Sequence, residues 1–219
     1  MLISIAEKVK QFNDTKLSDN DGIDYLKSLR DNMKSLEEKF YKNFITVFLL
    51  IAIFILFSKS VVTQISIGPI IVKDVASIYA FLPLILAYKY YEICSVMVMR
   101  RLSRVLHLEL TKRVNHPVFV SGLEYYLMPY SIFLTNEIVL EGKKGFQKHF
   151  IILLLGLCDI ATQLGFIGFE IYSLHSIYSV LGTSSAIFWI VSIPSVILMI
   201  LGYYSLLSKT KELRNYNIK

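Results

Sequence analysis

Five side chains in this sequence sit where polar groups are expensive. Lys89, Glu92, Asp159, Gln163 and Glu170 all fall inside long apolar runs. Lys89 and Glu92 belong to "LAYKYYEIC" and are three residues apart, the spacing at which helical side chains become neighbours. Asp159, Gln163, Phe166 and Glu170 follow one another at steps of 4, 3 and 4, so a polar stripe climbs one helix face. Gly156, Gly165 and Gly168 lie close by and would allow near approach of a neighbouring helix. In hydrocarbon a charged side chain costs about 3 kcal/mol on insertion scales, so each of these groups needs a partner or a task.

Counting from the ends of the runs gives a depth. Lys89 precedes Arg100 by eleven residues, about 16 Å of helix at about 1.5 Å per residue. Asp159 follows His149 by ten residues, about 15 Å. Both land near the middle of a hydrocarbon core of about 30 Å. Lys89 and Asp159 are therefore expected partners across two helices, with Glu92 sharing Lys89. Snorkelling is a poor escape for Lys89, because helical side chains lean toward their own N-terminus and deeper into the bilayer here. Three roles fit such a pair: a register-fixing ion pair, a polar relay for ions or protons, or pairing across a subunit interface.

Other chemistry has little to stand on. His107, His116, His149 and His175 are scattered, without an H-E-x-x-H pattern, so no metal ligands are assigned. Cys94 and Cys158 lie in apolar runs and read as small buried hydrophobes. Neither G-x-S-x-G nor a phosphate-cradling glycine loop occurs. No catalytic or cofactor-binding residue is named, and the chain is expected not to be an enzyme.

The elements that must position these groups are membrane spans. The chain has 219 residues, 54% of them hydrophobic and 18% charged, with mean hydropathy +0.54. Soluble domains average about 25% charged residues. Four windows reach the span length of about 20 residues, and with flanks they predict helices over about 41–60, 75–99, 150–174 and 184–207. The expected fold is an all-α integral membrane protein, a four-transmembrane-helix bundle with cytoplasmic N-terminal helices and a small extracytoplasmic β-hairpin. Pro83 and Pro194 fall inside spans two and four and predict kinks. The opening "MLISIAEKVKQFND" does not read as a secretory signal, so the first apolar run is expected in the mature protein.

Charge sets the orientation. Arg100, Arg101, Arg104, Lys112, Arg113, Lys143, Lys144 and Lys148 crowd the segment between spans two and three. Lys209, Lys211, Arg214 and Lys219 fill the tail, and lysines recur before span one. The other two connections carry only Lys59 and Lys73 between them. Both termini and the 100–148 segment are therefore expected in the cytoplasm, in a plasma (bacterial inner) membrane. The net charge of +6 is accounted for without nucleic acid.

The region 1–43 is expected to form a cytoplasmic helical arm, with residues 208–219 a cytoplasmic tail. "LISIAEKVKQF" has one apolar face. After a cap at Asp19 or Asp21, Leu26, Leu29, Met33, Leu36 and Phe40 repeat at steps of 3, 4, 3 and 4. That is a seam for this chain's own cytoplasmic segment or for a second copy. Nothing from Ser35 to Phe57 interrupts the helix. The β-branched "SVVTQISIGPIIVKD" suggests a hairpin turned at Gly68-Pro69. "RRLSRVLHLELTKRV" extends span two until Asn115-His116-Pro117. The Tyr- and Phe-rich stretch after it is too apolar for a free loop.

The function these parts suggest is a non-enzymatic, homo-oligomeric membrane subunit that presents a cytoplasmic face to a soluble protein. It would sense membrane disturbance or anchor an effector, as in a bacterial defence or stress module. Its partners are the lipid bilayer, further copies of itself and that protein, with no cofactor. The alternative is a homo-oligomeric ion pore lined by the buried polar groups, followed by a small proton-coupled carrier.

Overall fold

The computed structural model describes residues 19–59, 65–67, 70–72, 75–114 and 146–217. Four long helices fill most of them: α1 (Asp19–Ser58), α2 (Val75–Val114), α3 (Phe146–Leu181) and α4 (Ala186–Asn217). All four are long and apolar enough to cross a membrane. The N-terminal amphipathic stretch 1–12 and the aromatic segment after Pro117 lie outside the described residues, as do the side chains of Cys158 and Asp159.

Arm and first span are one uninterrupted element of 40 residues, since no glycine or proline follows Gly22 within it. α2 runs past its apolar window to Val114, just before Asn115-His116-Pro117. α3 extends beyond Leu174, where the apolar window ends, to Leu181. The extra two turns are held by packing: Ile177, 1% exposed, joins Phe54, Tyr79 and Leu82 in a core to which Leu181 also adds. Gly182 then closes the helix with φ +69°, its N–H donating to the Tyr178 carbonyl at 2.9 Å. That is the left-handed C-terminal stop glycine favours. Trp189 braces the turn, its indole N–H donating to the Thr183 carbonyl at 2.9 Å. Two three-residue strands, β1 (Ile65–Ile67) and β2 (Ile70–Val72), pair antiparallel with Ile67 opposite Ile70.

The chain divides into two compact units. The first comprises Met1–Phe40, Ser95–Leu155 and Ser205–Lys219. Within it α1 and α2 run antiparallel: Gly22 packs on Val114, Asn32 donates to Ser103 at 3.3 Å, and Glu37 pairs with Arg100. As one member of each contact advances, the other retreats. Leu26, Leu29, Met33 and Leu36 are half-buried and Phe40 is buried, whereas Lys27, Lys34 and Glu38 between them are exposed.

The second unit comprises Tyr41–Cys94 and Gly156–Tyr204. Here Phe54 of α1 stacks on Tyr79 of α2 with ring centroids 4.7 Å apart and meets Phe169 of α3 edge-on at 5.5 Å. α2 is the most enclosed helix: half of its apolar window is buried, against 17–22% for the other three. The outer faces of α3 and α4 are oily, with Leu164, Ile171, Ile190 and Ile200 at 59–64% exposure. A surface that apolar suits hydrocarbon and would be an aggregation hazard in water.

Gly202 lets α4 close on α2. A Cβ there would meet Tyr90 Cε1 and the Tyr91 Cα, both at 3.3 Å. The Tyr91 contact is backbone, so the helices themselves must part. Gly202→Val is expected to cost about 1–3 kcal/mol as an overpacked interface, read as a lower midpoint in thermal unfolding of the detergent-solubilised protein. An unchanged midpoint would mean that α2 and α4 do not meet there.

Candidate functional site

The buried polar groups fall into separate sets, two of which the second unit holds on α2. Lys89 Nζ lies 2.6 Å from Glu92 Oε2, one turn along the same helix. The ammonium also donates to Asn43 Oδ1 of α1 at 3.3 Å and sits 5.5 Å from the Tyr88 ring centroid. Asn43 is only 4% exposed. Lys89 therefore ties α2 to α1 while neutralising Glu92. Tyr90, the next residue, points elsewhere and donates its hydroxyl to Gln163 Oε1 of α3 at 2.6 Å. Further along α2 the Tyr79 hydroxyl meets Ser176 Oγ at 2.5 Å. These two contacts fix α3 antiparallel to α2, since the partner falls from 176 to 163 as the α2 position rises from 79 to 90. Asp159 stands one turn before Gln163 on α3, with its side chain outside the described residues.

Glu170 keeps different company. It is 5% exposed, and its Oε1 has no hydrogen-bond partner. Ser195 of α4 is fully buried, and its Oγ has no hydrogen-bond partner. Ser192, one turn back, also has a buried Oγ without a partner. Ser173 is fully buried and gives its hydroxyl to the Glu170 backbone carbonyl at 2.8 Å. Pro194 lies between the two α4 serines and Pro83 lies on α2, each within a continuous helix.

In the first unit Arg100 Nη2 donates to Glu37 Oε1, and both side chains are 13% exposed. The guanidinium also covers the Phe40 ring, 4.9 Å from Cζ to centroid. An arginine plane on an aromatic face adds a cation–π term to the charge pair. His107 is 6% exposed on the same α2 stretch.

The five intramembrane polar residues thus divide. Lys89 and Glu92 pair as i, i+3 neighbours, Gln163 takes a tyrosine, Glu170 is buried with its Oε1 unpartnered, and the Asp159 side chain lies outside the described residues. The contributions of Asn43, Tyr90 and Glu37 have little local signal in sequence, because each acts across helices. Only the shared depth of residues on antiparallel spans hints at them. Among the described residues no three His, Cys, Asp or Glu side chains converge as metal ligands would. Comparison of the chain with protein-family models, with curated proteins and with solved structures finds no match.

Proposed function

We propose that the chain is a non-enzymatic subunit of a plasma (bacterial inner) membrane assembly, which self-associates and presents a cytoplasmic face to a soluble protein. The observation that carries this is the Arg100–Glu37–Phe40 knot in the first unit. It fixes α1 against α2 where the apolar windows give way to charge, so the extension is a built surface and not a pair of tethers. Arginine and lysine gathered after Met99 support a cytoplasmic side for this unit, and hence an outer side for the β1–β2 connection. On the first turns of α1, Ile23 and Tyr25 are 44% and 55% exposed beside Asp24 and Lys27. Apolar and aromatic groups rimmed by charge make a docking edge for a protein. In the second unit Lys89, Glu92 and Gln163 spend their hydrogen bonds within the chain, which favours a subunit over a pore.

Affinity capture of the full chain from native membranes, followed by native mass spectrometry, tests this. The expected result is a multimer that retains a soluble protein, with recovery falling on the order of tenfold in Tyr25→Ala as an anchor is lost. The substitution is at the surface, so stability should move by less than about 0.5 kcal/mol. A monomer that retains nothing would overturn the proposal.

A further inference from the structure

We propose that a narrow stripe on α2, formed by Phe81, Ile85, Tyr88 and Glu92 with Lys89 beside it, is where a second copy of this chain docks. This rests on the self-association proposed above and names the face that carries it. α2 is the most enclosed of the four helices, yet Phe81, Ile85 and Tyr88 are 41%, 43% and 47% exposed. Leu82, Leu86, Ala87, Tyr90 and Ile93 in the same stretch are buried. With Glu92 the stripe steps by 4, 3 and 4 residues, and the side chains of Lys89 and Glu92 are 25% and 18% exposed. That is a heptad seam, the spacing at which two helices interlock knob into hole.

Two features select a second copy as the occupant. The first is polarity. Lipid chains suit the oily outer faces of α3 and α4, whereas here a phenol and an ion pair stay partly uncovered on a helix apolar enough to span. Hydrocarbon offers neither donor nor acceptor to such groups. The second is self-complementarity. Copies that obey one charge rule insert the same way up. A two-fold axis along the membrane normal then sets the two α2 helices parallel, with equal residues level. In a parallel seam the Tyr88 knob enters a hole made by Ile85, Tyr88, Lys89 and Glu92 of the copy. There the phenol hydroxyl can donate to the Glu92 carboxylate of the copy. The Lys89 ammonium uses two of its three N–H groups within the chain, on Glu92 and Asn43, and has one to give across the seam. Each copy brings one neutral Lys89–Glu92 pair, so the contact buries no net charge.

The test is cysteine cross-linking of the full chain in native membranes, with copper phenanthroline as oxidant. Ile85→Cys and Tyr88→Cys are compared with Leu164→Cys on α3 and Ile190→Cys on α4, positions that are more exposed. The unsubstituted chain, which carries Cys94 and Cys158, is the blank. The expected result is a disulfide-linked dimer from both α2 variants, absent from the blank and from the α3 and α4 variants. Native mass spectrometry of the same preparations keeps the two proposals apart. A multimer without the α2 cross-link would overturn this face and leave self-association standing on another. A monomer without any cross-link would overturn both. Cross-linking at Leu164 or Ile190 as strong as at Tyr88 would also overturn the assignment, because the α2 stripe would then be no preferred contact.

Discussion

In Arg100→Ala protein the unfolding free energy is expected to fall by about 3–5 kcal/mol, the range for removing one member of a buried ion pair. The loss has two parts. Glu37 keeps its charge at 13% side-chain exposure, with Oε2 already lacking a hydrogen bond and Oε1 now losing its donor. Phe40 loses the guanidinium that lies 4.9 Å from its ring, worth about 0.5–2 kcal/mol as a cation–π contact. Arg100→Lys retains charge but not the planar fork, so it should recover only part. Arg100→Met with Glu37→Leu should recover most of the loss, because no charge is stranded. Equilibrium unfolding in mixed detergent micelles measures the cycle. Hydrogen exchange over 22–40 should rise in the single variant and return in the double. If the two single effects simply add, the pair does not hold α1 to α2.

How far the sequence foretells this arrangement depends on how local each contact is. Four apolar windows locate four helices because hydrocarbon demands a fixed length of apolar chain. Lys89 and Glu92 are legible as a pair because i, i+3 geometry is internal to one helix. The continuation of α3 through His175–Leu181 is not, since that stretch is mixed in character. It is helical because Ile177 finds Phe54 and Tyr79, which lie more than 90 positions earlier in the chain. Arg100 reads as one more charge in a basic segment. Its partner is 63 residues away, and nothing near Glu37 marks it out from Glu38, which is exposed. Glu170 stands out as a charge on an apolar helix, whereas Ser195 on an oily helix reads as neutral filler. Counting depth pairs Lys89 with Asp159, whose side chain lies outside the described residues, and it gives no sign of Asn43, because an amide at the start of the first span carries no charge to balance. Local periodicity thus yields the rods and the expensive groups, and cross-helix register chooses the partners.

That difference is measurable at Lys89. Lys89→Ala is expected to cost about 3–5 kcal/mol, because it removes a partner from groups on two helices at once. Glu92 loses an ammonium at 2.6 Å, and Asn43, 4% exposed with Nδ2 already unpartnered, loses the donor to its Oδ1. Both groups are largely enclosed, so the cost sits above the 0–1 kcal/mol or so of a surface pair. Glu92→Ala leaves Lys89 one oxygen partner on Asn43 and should therefore cost less than Lys89→Ala. The double variant Lys89→Ala/Glu92→Ala should regain much of the larger loss, giving a coupling of about 2 kcal/mol or more between the sites. The same cycle run with Asp159→Ala separates local pairing from partnership at matched depth. Tyr90 already engages Gln163, one turn beyond Asp159, while the Lys89 ammonium is held by Glu92 and Asn43. Coupling of Lys89 to Asp159 is expected to stay within about 0.5 kcal/mol, the tolerance for independent sites. A larger coupling to Asp159 than to Glu92 would mean that the ammonium serves α3, and the bond from Lys89 to α1 would have to be given up.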